Sequence, residues 1–334
     1  MYKKNEKLLT IIIPCFNAEK YFERCALSLE KVNSDNVLIL FINDGSTDTT
    51  QELIKCWIKK HTNGYLINKE NGGYSSAINT GLDNCNSEYV MFLGVDDELD
   101  SEGINNVCIH LKKNKPDILA FSTKKIYDDS NKNMMKFEID SITNFKNPGI
   151  YIYDIYTLYK KVGKDALILF VRDTSRCFKM DTIGNTRYFG KTGISADGCF
   201  SSIVACKSKS FEFMNDVCYF WHLHEDSLSG RKKTIEKIEE ELCVWAEFFT
   251  WITTSSQTKN IPDPIIDYLF IYKELIDVLY REGRTEFATK HEIHLKKFMI
   301  KILNNHTISA KSRVKIKYPG IYKVYMNARG IIIG

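Results

Sequence analysis

Residues 36–60 read NVLILFINDGSTDTTQELIKCWIKK, and this stretch decides the fold class. The run Val37 to Ile42 is continuously apolar, the pattern of a strand covered on both faces rather than on one. Gly45 then supplies a turn, Asp48 with Gln51 has the form of a capping box, and the segment that follows is helical. The same unit precedes it. LLTIII (8–13) reads as a buried strand, and Asn17 stands as N-cap before AEKYFERCALSLEKV, where Phe22, Cys25, Ala26 and Leu29 recur at helical spacing. Further strands are expected at 64–67, 89–93 and 117–122, with the helical SSAINTGLDNC (75–85) between the first two. Strands alternating with helices imply βαβ units and a mostly parallel α/β sheet flanked by helices. Ligands of such sheets bind outside the carboxyl ends of the strands. Here those ends carry Pro14 to Asn17, Asn43 to Ser46 and Gly94 to Glu98.

The remaining chain is less regular. Residues 126–195 mix aromatic and charged side chains and are expected to form the wall that accepts a second substrate. From 233 onward Ile235, Ile238, Leu242, Trp245, Phe249 and Ile252 recur every three to four residues, and two more helical segments follow Pro264. The stripe reads as a packed helical cap or an oligomer interface. The expected division is 1–230 for a catalytic domain, with 1–125 as donor half and 126–230 as acceptor half, and 231–334 for a helical C-terminal extension. From Lys301 onward there are seven basic residues and no acidic ones, interleaved with Tyr318, Ile321, Tyr322 and Tyr325. Such a tail can adhere to anionic lipid, at about 1 kcal/mol per cation; a solvated tail or a subunit contact accounts for it equally.

A net charge of +4 is too small to argue for nucleic acid as a partner. The ten cysteines include no C-x-x-C pair, and several fall within apolar patterns, so they are expected as free thiols in a reducing compartment. The apolar run at the N-terminus ends at Pro14, short of a signal-peptide core, and no run approaches the ~20 apolar residues of a membrane span. The expectation is a cytoplasmic protein, at the inner face of the membrane if the tail adheres.

Two acidic features carry the chemistry. Asp44, at a strand end, can accept a hydrogen bond from an imide N–H, such as N3 of uracil, or from a ribose hydroxyl, or it can simply open a turn. In YVMFLGVDDEL (89–99) the apolar run breaks directly into Asp96, Asp97 and Glu98. Adjacent carboxylates suit Mg²⁺ or Mn²⁺, which bind through one or two carboxylates plus substrate phosphates. A solvated acidic loop is the bland reading of the same residues.

In this order the pieces resemble the family 2 glycosyltransferases of the GT-A fold. TIIIPCFNAEKY is similar to that family's P-x-[YF]-N-x-x-x-[YF], INDGSTDTT to D-D-G-S-T-D, NKENGGYSSAINTGL to N-x-G-x-x-x-A-R-N-x-G, and YVMFLGVDDEL to a strand ending D-x-D-D. The resemblance is specific over 8–100 and loose over 170–230. It implies a nucleotide-diphosphosugar donor, by preference a UDP-sugar, an inverting transfer to a glycan or lipid-linked saccharide acceptor, and Mn²⁺ or Mg²⁺ as cofactor. It places Pro14, Phe16, Asn17, Glu19, Asp44, Asn71, Ser75 and Asp96 at the nucleotide sugar, and Asp97 at the metal with His222 and His224. Ser227, in YFWHLHEDSLSGRKK, falls at the diphosphate. The family's general base is the Asp of an E-D pair, matched here by Asp197 in GISADGCFSS, with Asp173 and Asp181 as rivals.

The departures are Asn43, Ile78, Gly94, Ala196 and His222, where the family pattern has Asp, Arg, Asp, Glu and Arg. Ile78 and His222 leave fewer cations near the nucleotide, with Arg172, Arg176, Lys179, Arg187 and Arg231 as candidates to compensate. The departures also keep open a non-catalytic nucleotide-sugar-binding homologue. A nucleotidyltransferase fits less well, since PCFNAEKYF stands where a Gly-rich, basic triphosphate loop would be.

Overall fold

The computed structural model describes residues 7–33, 35–127, 145–193, 195–224 and 234–318. The first half comprises β1 (Leu9–Cys15), α1 (Glu19–Leu29), β2 (Val37–Asp44), α2 (Thr50–Ile58), β3 (Gly64–Lys69), α3 (Tyr74–Asp83), β4 (Tyr89–Phe92), β5 (Glu98–Leu99), α4 (Ser101–Asn114) and β6 (Ile118–Tyr127). There follow β7 (Gly149–Ile152), α5 (Ile155–Val162), α6 (Ile168–Val171), β8 (Arg176–Lys179), α7 (Met180–Ile183), α8 (Ala196–Lys207) and β9 (Ser210–Leu223). The C-terminal helices are α9 (Ile235–Thr254), α10 (Asp263–Arg281), α11 (Thr285–Asn305) and α12 (Ala310–Lys317).

Among these residues a nine-stranded sheet runs in the order β3-β2-β1-β4-β8-β6-β9-β5, with β7 pairing on β9. The first four strands pair in parallel. β8 is antiparallel to both β4 and β6, so β6 and its parallel partner β9 regain the original direction. Only β5, β7 and β8 oppose it. The mostly parallel sheet is therefore present. The reversal at β8 was not legible in the sequence, because a four-residue strand carries no direction signal.

Period-two alternation sends successive residues of β1 and β2 to opposite faces, and both faces are covered. Ile12, Leu38, Leu40 and Ile42 join one apolar cluster, which extends through α3 and α8 into α9, α10 and α11. Ile11, Ile13, Ile39 and Phe41 join a second, beneath α1, α2 and α4. Burying each such side chain contributes roughly 1.5–3 kcal/mol, and the double covering is why the runs are continuous. The stripe on α9 is core, with Ile238, Leu242, Trp245, Phe249 and Ile252 all buried. All ten cysteines are free thiols. Among the described residues no helix is long and apolar enough to cross a membrane. The tail residues Ile321, Tyr322, Lys323, Tyr325 and Arg329, like Ser227 and Arg231, lie outside the described residues.

Two caps differ from expectation. Asn17 is not the N-cap of α1, and the Asp48–Gln51 box does not form. Instead the two helices cap each other. Asp48 Oδ2 accepts from the Glu19 N–H at 3.1 Å, while Glu19 Oε2 accepts from the Thr49 N–H at 3.2 Å and its hydroxyl at 2.8 Å. Each carboxylate meets the positive end of the neighbouring helix, which locks the two strand-end loops together.

The C-terminal bundle contains one titratable weak point. His291 of α11 is 2% exposed, its Nδ1 bonds the Tyr272 hydroxyl at 2.6 Å, and its Nε2 has no partner among the described residues. Burial, then His294 and Lys290, push its pKa down to about 4. The neutral ring favours the fold, so that contribution is present above the unfolded value of about 6.5 and is lost as pH falls toward 4. Thermal melts between pH 7 and 4 are expected to show a steeper loss of Tm for the wild type than for His291→Gln.

Candidate active site

The end expected to meet the nucleoside is built from the loops after β1, β2 and β3. Asn17 sits at a positive φ of 47°, and its side-chain oxygen accepts from the Thr47 N–H at 2.8 Å while its own N–H donates to Ser46 Oγ at 3.1 Å. Phe16 beside it is 51% exposed, an uncovered aromatic ring at the strand end. Gly45 has a φ of 74°, and a Cβ there would lie 2.8 Å from the Asn71 backbone nitrogen, so only glycine lets the two loops approach. Asp44 is buried. Its Oδ1 accepts from Lys69 Nζ at 2.6 Å and the Gly72 N–H at 3.0 Å, and its Oδ2 from the Gly73 N–H at 2.8 Å. It thus shapes the 69–73 loop, with Oδ2 keeping acceptor capacity.

Asn43 has a clear reason to be an amide. Its Nδ2 donates to Asn68 Oδ1 at 2.9 Å and its Oδ1 accepts from the Ser46 N–H; an aspartate could not do the first. Two expected contacts are relocated. Glu19 is used in the cross-cap described above, and Ser75 is fully buried with its hydroxyl donated to the Phe189 carbonyl, beneath the loops rather than facing a ligand. Asn71 is exposed and Pro14 half-buried at the same edge.

The acidic stretch is clipped to β9. β5 pairs Glu98 with Phe220 and Leu99 with Tyr219. That register delivers the Tyr219 hydroxyl to Asp97 Oδ2 at 2.5 Å and the His222 N–H to Asp97 Oδ1 at 2.8 Å. Asp97 is 6% exposed, and burial, then Asp96, drive its pKa well up. Asp96 is the accessible carboxylate, with Oδ2 3.0 Å from His224 Nε2. The His224 ring stacks on Tyr21 and its Nδ1 lies 3.2 Å from the Tyr21 hydroxyl, which fixes the orientation of Nε2. His222 Nε2 bonds Glu98 at 2.6 Å. A Cβ on Gly94 would meet Asp96 Oδ1 at 2.7 Å and Asp97 Oδ2 at 2.8 Å, so the residue that departs from the family pattern leaves space for these two.

Among the described residues no three carboxylate, imidazole or thiol groups converge as a complete metal cage. One carboxylate and one oriented imidazole do fit a divalent ion whose remaining ligands are substrate phosphates. That donor pair is Asp96 with His224.

Asp197 occupies the first turn of α8, partly buried, with Oδ1 accepting from the Gly198 N–H at 2.7 Å. Burial and then Asp173 push its pKa up to about 7, against the opposing pull of the Gly198 N–H, Arg172 and Arg176. Asp173 is buried and accepts from the Tyr188 hydroxyl, and Asp181 is exposed on α7. Ala196 is fully buried in the core. Carboxylates reach this region from α9 instead, as sequence reading did not foresee. Glu240 Oε1 accepts from the Lys191 and Thr192 N–H groups at 2.5 and 2.7 Å, and Glu241 accepts from the Ser195 hydroxyl at 2.6 Å. No local signal could have found them, because α9 lies some forty residues on.

The two acidic groups act on one phenol. Tyr74, at the start of α3, has its phenol held up by burial and then by Asp173, Asp197, Asp96 and Asp97 together. Of the candidate compensating cations, Arg187 pairs with Asp83 and Lys179 with Glu88. Among the described residues both Nη atoms of the fully buried Arg176 are unpartnered, and Arg172 is within electrostatic reach of Tyr219, Asp197 and Asp97.

Comparison with known proteins agrees with this fold. The chain is 25% identical over 319 residues to glycosyltransferase GlyA of Streptococcus pneumoniae, covering 92% of this chain and 43% of GlyA. It is 25% identical over 246 residues to chondroitin synthase of Escherichia coli, covering 71% and 33%. The chain thus spans less than half the length of these curated relatives. Its fold matches residues 1–349 of S. aureus TarS, with a TM-score of 0.62 at 14% identity over 98% of this chain and 93% of that one. The same fragment in complex with UDP-GlcNAc matches with a TM-score of 0.57 at 14% identity, covering 87% and 91%. The model of glycosyl transferase family 2 matches residues 10–178, just over half of the 334, and the chain belongs to that family.

Proposed function

We propose that this protein transfers a sugar from a nucleotide diphosphate donor to a hydroxyl of a glycan acceptor, with inversion at the anomeric carbon. The observation that carries the reading is the position of Asp44 and of Asp96, with its oriented partner His224, at or just beyond the carboxyl ends of the parallel strands β2 and β4, where ligands of such sheets bind. UDP-GlcNAc is the first donor to test, because the TarS fragment of the same fold was solved with it.

In this reading Phe16, Asn17 and Asp44 form the wall for the base, and Asp96 meets the ribose side of the donor. Asp96 and His224 would hold Mn²⁺ or Mg²⁺. This differs from the sequence expectation of Asp97, because both Asp97 oxygens are engaged by Tyr219 and His222. When bound, the ion supplies Lewis-acid stabilisation of the diphosphate leaving group. Asp197 takes the proton of the acceptor hydroxyl as that oxygen attacks the anomeric carbon, and the carbon–oxygen bond to the diphosphate breaks on the opposite face. A carboxylate with a pKa near 7 is matched to this work, since a base near ambient pH is half available and still basic. Tyr188 and Asp173 keep the surroundings of Asp197 fixed.

Thermal-shift measurements with UDP-GlcNAc, with and without Mn²⁺, test the reading. A rise in Tm that grows with ligand concentration and is larger with Mn²⁺ is expected, together with slow UDP release when no acceptor is present. No shift with any nucleotide sugar would refute donor use, and a shift without turnover across an acceptor panel would leave a binding protein.

A further inference from the structure

We infer that Glu241 of α9 is a positioning residue for the base, holding the start of α8 so that Asp197 meets the acceptor hydroxyl. The inference deepens the proposed function and rests on it for the role of Asp197. The segment just ahead of α8 is bound on two sides. On one, the Ser75 N–H of α3 donates to the Lys191 carbonyl at 3.1 Å and the Ser75 hydroxyl to the Phe189 carbonyl at 3.1 Å. On the other, Glu240 Oε1 accepts from the Lys191 and Thr192 N–H groups, and Glu241 Oε1 accepts from the Ser195 hydroxyl at 2.6 Å. The approach to α9 is close. Gly190 has a φ of 67°, and a Cβ there would lie 2.7 Å from the Val244 side chain and 3.1 Å from Glu240 Oε1.

Ser195 is the junction between this segment and α8. It stands at the N-cap with a φ of 59°, the left-handed region that a residue with a Cβ rarely adopts. A serine would ordinarily cap the helix with its own hydroxyl. Here the hydroxyl makes no cap and is donated to Glu241, which is 2% exposed. A non-glycine residue keeps such a conformation only where its surroundings hold it, and the buried carboxylate of α9 is one of the groups that do so.

The backbone carries that constraint to the base. The Ala196 N–H donates to the Gly193 carbonyl at 3.1 Å, and the Ser195 carbonyl accepts from the Cys199 N–H at 3.0 Å, closing the first turn of α8 around Asp197. The dihedrals of Ser195 therefore set the direction in which α8 leaves the loop, and with it the place of the Asp197 carboxylate. A general base acts only within hydrogen-bond reach of the proton it takes. Misplacement by about 1 Å costs on the order of a hundredfold in rate. Position 196, where the family pattern carries a glutamate, offers a buried alanine, so the acidic side chain at this junction comes from α9.

The test compares the full chain as wild type, Glu241→Ala and Glu241→Gln, with Asp197→Asn as reference. The Asp197 carboxyl is titrated by carbon-13 NMR, its resonance assigned by its absence in Asp197→Asn, and kcat is read as UDP release from UDP-GlcNAc with Mn²⁺. Burial and then Asp173 hold the Asp197 midpoint at about 7, against the Gly198 N–H, Arg172 and Arg176. In Glu241→Ala the junction loosens and water reaches Asp197, so the midpoint should fall toward the ordinary carboxylate range. In the same variant kcat should fall by about tenfold to a hundredfold, with donor affinity unchanged. Glu241→Gln keeps an acceptor for the Ser195 hydroxyl and should recover most of both. An unchanged midpoint in folded Glu241→Ala would overturn the inference even if Tm dropped, because a merely structural tether moves stability alone. Full turnover in Asp197→Asn would remove the base and the inference with it, whereas a dead Asp197→Asn beside an unaltered Glu241→Ala refutes the inference alone. If the wild type releases no UDP, the transferase reading falls, and the NMR midpoint still decides whether α9 positions Asp197.

Discussion

Asp197→Asn is expected to lower kcat/KM for sugar transfer by about three orders of magnitude, the range of a positioned general base. Donor binding should be unchanged. Asparagine keeps an oxygen to accept the Gly198 N–H, so the variant tests proton transfer rather than folding. The wild-type profile should rise with pH and reach half its plateau near 7, because Asp197 must be ionised and burial with Asp173 has raised its pKa to about 7. Stability carries the opposite sign. A carboxyl whose folded pKa exceeds the unfolded value of about 3.9 contributes stability that is complete below that value and is lost as pH rises through 7. Asp197→Asn should therefore melt at least as high as wild type at pH 8 while being nearly inactive. A base installed at a cost to stability is what a functional site requires; a turn aspartate would show neither effect.

Asp96→Ala and Asp97→Ala should fail for different reasons. Asp96 is the accessible partner of His224, and its loss should abolish the dependence of donor binding on Mn²⁺ with little change in Tm. Asp97→Ala leaves the Tyr219 hydroxyl and the His222 N–H without their acceptor in a buried setting. An unsatisfied buried group costs about 1–3 kcal/mol, so the two together should lower Tm by several degrees. Titrating Mn²⁺ against UDP binding in each variant separates the roles. An unchanged Mn²⁺ midpoint in folded Asp97→Ala supports the assignment to Asp96, and a lost response in that variant with an intact one in Asp96→Ala would return the metal to Asp97.

The first 125 residues were legible because their signals are local. The continuous runs of β1 and β2, the turn at Gly45 and the helices between them follow from neighbouring residues. The strand-end placement of Asp44 and Asp96 follows from the fold class. What sequence reading missed is long-range. The engagement of Asp97 is one case: β5 pairs with β9, which brings Tyr219 and His222 onto it from 122 and 125 residues away. Glu19 and Asp48 looked like a ligand contact and a local cap, and are reciprocal caps between helices. Gly94 departs from the family's Asp, and what the sequence did not show is that a Cβ there would crowd Asp96 and Asp97. The carboxylates of Glu240 and Glu241 come to the base loop from a helix for which the family resemblance says nothing.

The most direct test of the account is the configuration of the first-formed sugar. NMR can follow α-configured UDP-GlcNAc labelled at the anomeric carbon, incubated with the full chain and Mn²⁺, as water slowly replaces the acceptor. Single displacement with Asp197 as base predicts that β-GlcNAc appears first, before mutarotation, with UDP accumulating in step and both absent in Asp197→Asn. First appearance of the α anomer, or equal release by Asp197→Asn, would contradict it.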